Sequence, residues 1–379
     1  MSQYSDLFNL PLGEHYLNCA YMSPLLRSVE EIGISAIRMK RSPSHMTADD
    51  FFDGLEVLKS RFATLVHAPS AQSCAFIPSV SYGMANAISN VDPKRGKHCL
   101  ILKGEFPSGR LALERWCEEH VQEVREVGPV EEDFMNGAMW NESVLEAITE
   151  NSTMLIMSNV HWMNGILFDM VAIGERCRST DTILIVDGTQ GVGAVHMNVQ
   201  SFHIDALICA GYKWLMGPYS TGMAYYGPYF HHSRPIEESW MNRTNAKAFS
   251  DLTNYGKFYS PEAGRFNVGQ TSNFILAPML SEALRQVNEW GTDLIGSHDL
   301  ALCKPLCDYV KSHDPKVDLT YQSPHILGIP KPNGMGDDEL DQRLTSKKIS
   351  LSKRGTFLRI SPHLYNDAED IKALLTCLS

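Results

Sequence analysis

Short apolar runs alternate with amphipathic stretches from residue 74 onward, and this alternation constrains the fold more than any other feature. The amphipathic stretches carry the helical period, for example at 82–89, 109–120 and 171–178. Strands that alternate with helices are typical of a mostly parallel sheet that is covered on both faces. The sequence therefore predicts an α/β domain. Its predicted strands are 74–78, 98–102, 153–160, 182–187, 205–211 and 223–227.

The pattern changes after residue 273. A helix is predicted over 278–290, with its continuation through 307 left open, and proline-rich connections at 324–332 precede a last helix over 368–377. This mixture is typical of a smaller α+β domain. The opening segment has too few apolar residues to fold alone, so we expect it to pack at the cleft or on the small domain. The predicted divisions are an N-terminal segment (1–25), a large α/β domain (26–275) and a small domain (276–379).

The charge balance argues against polyanionic partners. Lys and Arg number 33 against 44 Asp and Glu, which gives a formal net charge of −11. Such a chain offers no electrostatic footprint for nucleic acid or for an anionic membrane. No stretch approaches the ~18 consecutive apolar residues of a membrane span, and the N-terminus does not resemble a secretory signal. We expect a cytoplasmic protein with no nucleic-acid or membrane partner.

The nine cysteines are scattered along the chain, and none forms a CxxC pair. An odd number of cysteines at irregular spacing favours buried free thiols over a disulfide framework or a thiolate zinc site. We predict no metal site in this protein.

Two predicted strands end in residues that suit the same chemistry. TILIVDGTQ ends a strand at Asp187, and DALICAGYKW places Lys213 just after the next strand. The carboxyl ends of parallel strands meet at one sheet edge, so the carboxylate and the amine can face one small ligand. Taken singly, Asp187 reads more simply as a helix cap and Lys213 as a solvated loop residue. Together they fit pyridoxal phosphate, which needs a lysine for a Schiff base and a carboxylate against its pyridine nitrogen.

With YLNCAYMSP at 16–24 and LRISPHLYN at 358–366, these motifs resemble, in the family's order, the class V aminotransferases of fold-type I. That family includes cysteine desulfurases, selenocysteine lyases, kynureninases and isopenicillin N epimerase. The resemblance implies a large domain with a mostly parallel seven-stranded sheet and a smaller α+β domain. It also implies pyridoxal phosphate as the cofactor, with Lys213 as its Schiff-base lysine, Asp187 against the ring nitrogen and Gln190 near the phenolic oxygen.

The resemblance implies further cofactor contacts. Val80 and Ser81 lie where a strand turns into a helix, whose free N–H groups suit a phosphate; the plainer alternative makes Ser81 a helix N-cap. Phe106 occupies the position at which desulfurases stack a histidine on the ring, although a core phenylalanine remains the alternative. Tyr212 is expected to reach the phosphate. Ala210 replaces the family's phosphate-binding serine, and the sequence does not name its substitute.

Three segments are expected to complete the site. GRFNVGQTSN at 264–273 resembles the family segment that crosses a dimer interface, so we predict a homodimer in which Gln270 and Thr271 reach the neighbouring cofactor; a polar turn between domains is the alternative. The resemblance also implies that Arg359 binds the substrate α-carboxylate, which its planar fork can do with two hydrogen bonds; without the resemblance, a surface salt bridge is the simpler interpretation. Asn18 is expected to lie in the substrate cleft. An amino acid or a related amine is therefore the predicted substrate.

The family contains several reactions, and one departure bears on the choice. Cysteine desulfurases carry a nucleophilic cysteine shortly before the carboxylate-binding arginine, whereas residues 347–361 contain none. An aminotransferase is therefore the first prediction, and a lyase or epimerase of the selenocysteine lyase or isopenicillin N epimerase kind is the alternative. A non-catalytic binding or regulatory protein is a third, which the intact set of Asp187, Gln190 and Lys213 disfavours.

Overall fold

The computed structural model of the chain describes residues 2–130, 134–313, 315, 317–332, 334–354 and 357–378. Its strands are β1 (His15–Tyr16), β2 (Cys74–Ile77), β3 (His98–Leu102), β4 (Glu123–Val127), β5 (Ser152–Ser158), β6 (Ile183–Asp187), β7 (Ala206–Ala210), β8 (Gly222–Tyr226), β9 (Leu327–Pro330), β10 (Ile349–Ser350), β11 (Ser352–Arg354) and β12 (Phe357–Ile360). Its α-helices are α1 (Arg27–Met39), α2 (Asp53–Val66), α3 (Val80–Ile88), α4 (Pro107–His120), α5 (Gly137–Ala147), α6 (Met170–Ser179), α7 (Leu276–Trp290), α8 (Thr292–His313), α9 (Asp337–Ser346) and α10 (Ala368–Leu378).

A seven-stranded sheet forms the centre of the fold, in the order β2-β8-β7-β6-β5-β3-β4. The strands from β7 to β4 run parallel, and β8 is antiparallel to both of its neighbours. Every residue of β6 and β7 is buried, as expected for strands covered on both faces. The predicted α/β fold with a mostly parallel seven-stranded sheet is confirmed.

All six predicted strands coincide with strands of this sheet. The seventh strand, β4, was not predicted. Its sequence, EVREV, is charged at three of five positions and largely exposed. The strand lies at the edge of the sheet beside β3, where charged side chains remain in water and discourage further strand pairing. An edge strand of this kind lacks the apolar run that identified the others.

The long helix predicted from residue 278 ends at Trp290, and a separate helix, α8, begins at Thr292. Gly291 lies between them with φ of 73°, a conformation that glycine adopts without steric strain and that commonly ends helices. The continuation that the sequence left open is therefore a second helix. Within the described residues, no helix is both long enough and apolar enough to cross a membrane.

The N-terminal segment is joined to the C-terminal part of the chain. β1 pairs in parallel with β10, and Asn18 forms a bridge with Ser361. A small antiparallel sheet in the order β11-β12-β9 lies in the same region and contains Arg359. These pairings bring Asn18 and Arg359, which are 341 positions apart in sequence, to one side of the molecule. The predicted domain boundaries at residues 25 and 275 stay a prediction.

Candidate active site

A cavity of about 290 Å³ lies at the carboxyl ends of β6 and β7. Open parallel sheets bind ligands at this edge, because the loops that follow the strands diverge there. Seven of the nine predicted cofactor residues line the cavity, and Gln270 and Thr271 do not. The seven are Val80, Ser81, Phe106, Asp187, Gln190, Tyr212 and Lys213.

Lys213 follows β7 and is only 7% exposed. Its Nζ atom lies 5.7 Å from the ring centroid of Phe106 and 5.7 Å from that of Tyr212. Burial, reinforced by the positive charge of Arg359, lowers the pKa of Lys213 to about 8, while Asp187 opposes the shift. A minor fraction of the amine is therefore neutral near physiological pH, far more than for an exposed lysine, and this neutral form is the nucleophile.

Asp187 is the last residue of β6, on the strand beside the one that precedes Lys213. Its Oδ1 accepts a hydrogen bond from the Thr189 N–H at 2.9 Å. Burial raises the pKa of Asp187, against the stabilising effects of Thr189 and Lys213. A cationic group placed in the cavity would favour the charged carboxylate, so this position suits a protonated ring nitrogen.

The Gln190 side chain lines the cavity and is hydrogen-bonded to the N-terminal segment. Its Nε2 donates to the carbonyl of Ala20 at 3.1 Å, and its Oε1 accepts from Trp214 Nε1 at 2.9 Å. The backbone carbonyl of Gln190 accepts a hydrogen bond from His325 Nε2 at 2.6 Å. The side chain that was predicted to meet the cofactor is therefore held in a fixed orientation.

The amino end of α3 opens into the cavity. Ser79, not Ser81, is the N-cap: its hydroxyl accepts from the Tyr82 N–H at 3.2 Å, so the interpretation of Ser81 as the cap is wrong. Ser81 Oγ lies 3.0 Å from Ser79 Oγ on the cavity wall. Two hydroxyls and the free N–H groups of a helix start form a suitable cradle for a phosphate.

Two aromatic rings form another wall. Phe106 is 40% exposed, and its ring meets that of Trp162 edge to face with a centroid separation of 5.6 Å. Trp162 is fixed by a hydrogen bond from its Nε1 to the carbonyl of Gly104 at 2.8 Å. Phe106 thus presents an accessible ring face to a planar ligand beside Lys213.

Arg359 and Asn18 lie just behind this wall. Arg359 is 1% exposed, and its Nη1 donates to the carbonyl of Trp162 at 2.8 Å. Its Nη2 lies 3.5 Å from the hydroxyl of Ser352, which itself donates to Asn18 Oδ1 at 2.7 Å. Burial, together with the positive charge of Arg354, lowers the pKa of Arg359 to about 9. The predicted substrate residues are therefore linked to each other and to the cavity through Ser352 and Trp162.

A model of the family "Aminotransferase class-V" matches residues 35–374. The chain belongs to the class-V aminotransferase family. This match confirms the predicted family and, because class V aminotransferases are pyridoxal phosphate enzymes, the predicted cofactor.

Similar proteins include both aminotransferases and sulfur enzymes. An uncharacterized aminotransferase of Bacillus subtilis, YcbU, is 23% identical over 320 residues, which cover 84% of this chain and 81% of that protein. A cysteine desulfurase IscS of Shewanella amazonensis is 28% identical over 187 residues, or 48% of this chain and 45% of IscS. The solved structure of the cystine C-S lyase C-DES with its product cysteine persulfide aligns with a TM-score of 0.84 at 17% identity, over 97% of each chain.

A buried carboxylate of this class-V family member escaped the sequence analysis. Both oxygens of Glu105 accept backbone hydrogen bonds at 2.7 Å, one from Phe106 and one from Ser158. Burial and the nearby Asp187 carboxylate raise the pKa of Glu105 to about 7. Its position immediately before Phe106 in a loop at a strand end was the available signal.

Ser220 is a candidate substitute for the phosphate-binding serine that Ala210 replaces. Ser220 is exposed on the cavity lining near Ala210, with a positive φ of 64°. Its hydroxyl is the kind of group that Ala210 lacks. Sequence spacing could not place it, because the turn between β7 and β8 determines which side chain points inward.

Gln270 and Thr271 lie apart from the cavity. Gln270 is exposed with φ of 57°, whereas Thr271 is buried and its Oγ1 has no hydrogen-bond partner. Their predicted contact with the cofactor of a neighbouring subunit stays a prediction.

Proposed function

We propose that this class-V family member is a pyridoxal phosphate-dependent aminotransferase that acts on an amino acid. One observation carries the proposal: a buried amine of lowered pKa, Lys213, shares a cavity with the Asp187 carboxylate, and the two residues follow adjacent parallel strands. Burying an amine in so desolvated a position is costly, and groups with strongly shifted pKa values cluster at functional sites, so the burial of Lys213 favours a catalytic role over a structural one.

The residues around the cavity fit the parts of the cofactor. Lys213 would hold it covalently, and Asp187 would face its ring nitrogen. Ser79 and Ser81 at the start of α3 would bind its phosphate, and Phe106 would cover its ring. When bound, pyridoxal phosphate supplies an electron sink for the bond that breaks at the substrate Cα.

Lys213 and Arg359 would act on the substrate. With a pKa of about 8, Lys213 exchanges a proton readily near neutral pH and suits the transfer of a proton to and from the substrate Cα. Arg359, whose buried Nε has no hydrogen-bond partner, would receive the α-carboxylate with its fork. Phe106 and Trp162 would limit the access of water to the reacting atoms.

The cysteines favour an aminotransferase over a persulfide-forming desulfurase. All nine are free, eight of them are buried, and none lines the described cavity. Burial raises the pKa of Cys19, the cysteine that we expected nearest the site, so its thiolate is disfavoured. An elimination reaction needs no protein thiol, so a lyase remains the second candidate.

We further propose that the protein is a cytoplasmic homodimer. The residues of α1 include exposed Ile34, Ile37 and Met39, and Tyr255 and Phe258 are exposed elsewhere. Ile34 and Ile37 are three positions apart on one helix and therefore share a face, and an exposed apolar face of this kind favours an interface with a second copy. Nine free cysteines favour a reducing compartment.

Single-turnover measurements test the proposed reaction. The holoenzyme is mixed with one amino acid at a time, without an amino acceptor, and the 2-oxo acid, ammonia and cofactor spectrum are measured. An aminotransferase forms at most one equivalent of 2-oxo acid per site and no ammonia, and an added 2-oxo acid restores the original spectrum. Ammonia in excess of the enzyme would contradict an aminotransferase and favour the lyase. The absence of any change with every amino acid would contradict both.

A further inference from the structure

The hairpin that carries Arg359 brings a second arginine to the same side. β11 and β12 pair antiparallel, with Ser352 opposite Arg359 and Arg354 opposite Phe357. Paired residues share a face of a sheet, and so do residues two apart on one strand. Arg354, Ser352 and Arg359 therefore lie on one face of the hairpin, whereas Lys353 lies on the other.

Trp162 connects both arginines to the cavity. The guanidinium carbon of Arg354 lies 5.7 Å from the Trp162 ring centroid, and Arg359 Nη1 donates to the Trp162 carbonyl. Trp162 itself lines the cavity that contains Lys213. The two guanidinium groups thus flank one wall residue of the candidate active site.

Neither arginine has a carboxylate partner among the residues that the structure describes. Arg354 Nη1 donates to the carbonyl of Lys353, and the bonds of Arg359 go to Trp162 and Ser352. The Nε atoms of both arginines are buried without an acceptor. Burial is the main cause of the lowered pKa of Arg359 and of Lys213, and repulsion from Arg354 adds to both shifts. Arg354 is half-buried and Arg359 is fully buried. Cationic groups that repel one another and lack a carboxylate partner favour an anionic ligand with more than one charge.

We propose that Arg354 binds a second anionic group, on the side chain of the substrate, so that the protein selects acidic amino acids. The inference rests on the proposed function, in which Arg359 binds the α-carboxylate. Each planar guanidinium would then bind one carboxylate, or a sulfinate or sulfonate in the second position. The Trp162 ring lies under the guanidinium of Arg354 and favours its orientation by a cation–π contact.

Binding of unreactive carboxylates to the holoenzyme tests this assignment. Succinate and glutarate are titrated calorimetrically and compared with butyrate, which has one carboxylate. We expect the better dicarboxylate to bind roughly 10- to 100-fold more tightly than butyrate, since a charge-assisted hydrogen-bonded contact is gained. Arg354→Gln should abolish this preference and leave butyrate binding within about twofold, and Arg354→Lys should restore it only in part.

Lys353→Gln is the matched control, because it removes one positive charge from the position next to Arg354. The Lys353 side chain lies on the other face of the hairpin, where it pairs with Asp341. It should leave the preference unchanged. A preference that persists in Arg354→Gln, that is equally lost in Lys353→Gln, or that is absent from the parent protein would overturn the assignment. Arg359→Gln should weaken all three ligands. If it has no effect while Arg354→Gln abolishes the preference, the proposed role of Arg359 fails and that of Arg354 stands.

Discussion

Replacement of Lys213 by methionine should stabilise the cofactor-free protein. The side chain is 7% exposed, and its pKa is lowered from 10.5 to about 8. At 1.36 kcal/mol per pKa unit, this shift corresponds to about 3 kcal/mol of disfavoured charge at pH 7. Methionine has a similar length and carries no charge, so Lys213→Met should raise the free energy of unfolding by up to about 3 kcal/mol.

The advantage should depend on pH in a defined direction. Below pH 8 the lysine is protonated in both the folded and the unfolded states, so the full difference is present. Between about pH 8 and 10.5 the unfolded state binds more protons than the folded state, and the parent protein therefore gains stability as the pH rises. The difference between the variant and the parent should decrease across this window.

Urea denaturation at pH 7 and pH 9.5 measures both effects. Lys372→Met, at an exposed position of α10, is the control and should change the free energy of unfolding by less than about 0.5 kcal/mol. The reasoning is refuted if Lys213→Met is no more stable than the parent at pH 7, or if its advantage is the same at both pH values.

Three further predictions concern substrate binding by Arg359, the buried Glu105 in the cavity wall, and the oligomeric state. Arg359→Ala should raise KM for amino acids and lower kcat/KM roughly 30- to 150-fold without changing the cofactor spectrum; unchanged kinetics would contradict its role. Glu105→Gln leaves one of the two backbone N–H groups that Glu105 binds without an acceptor. It should lower the free energy of unfolding by about 1–3 kcal/mol at about pH 4.5, where the raised pKa keeps Glu105 uncharged in the folded protein and no buried charge is relieved. Unaltered urea unfolding at that pH would exclude this bracing role. Sedimentation should find a dimer, and a cofactor-loaded monomer at micromolar concentration would disprove the assembly.

The sequence predicted the sheet well because its buried strands carry unbroken apolar runs. Asp187 and Lys213 could be predicted to lie near each other because the carboxyl ends of parallel strands lie along the same edge of the sheet. Their proximity therefore followed from the fold class. β4 was not predicted because its charged residues, Glu123, Arg125 and Glu126, are exposed at the sheet edge and interrupt the apolar pattern. The alternative interpretation of Ser81 as a helix N-cap was wrong because Ser79, two residues earlier, has the extended backbone angles of a cap and accepts the capping hydrogen bond.

Contacts between distant segments could not be predicted from local patterns. The chain from Asn18 through Ser352 to Arg359 depends on the pairing of the N-terminal segment with the C-terminal sheet. The approach of Arg354 to Trp162 depends on the register of a short hairpin, and a slip of one residue would turn that arginine to the opposite face. Such contacts follow from tertiary packing, which no single segment encodes.

Borohydride reduction of the holoenzyme, followed by peptide mapping, tests the central claim most directly. Reduction should fix the cofactor on one peptide at Lys213, and Lys213→Ala should lose both the reducible absorbance and the label. Lys103, which is not among the residues lining the cavity, is the control, and Lys103→Ala should keep both. A label on another lysine, or a reducible chromophore that survives in Lys213→Ala, would contradict the assignment of this cavity as the active site.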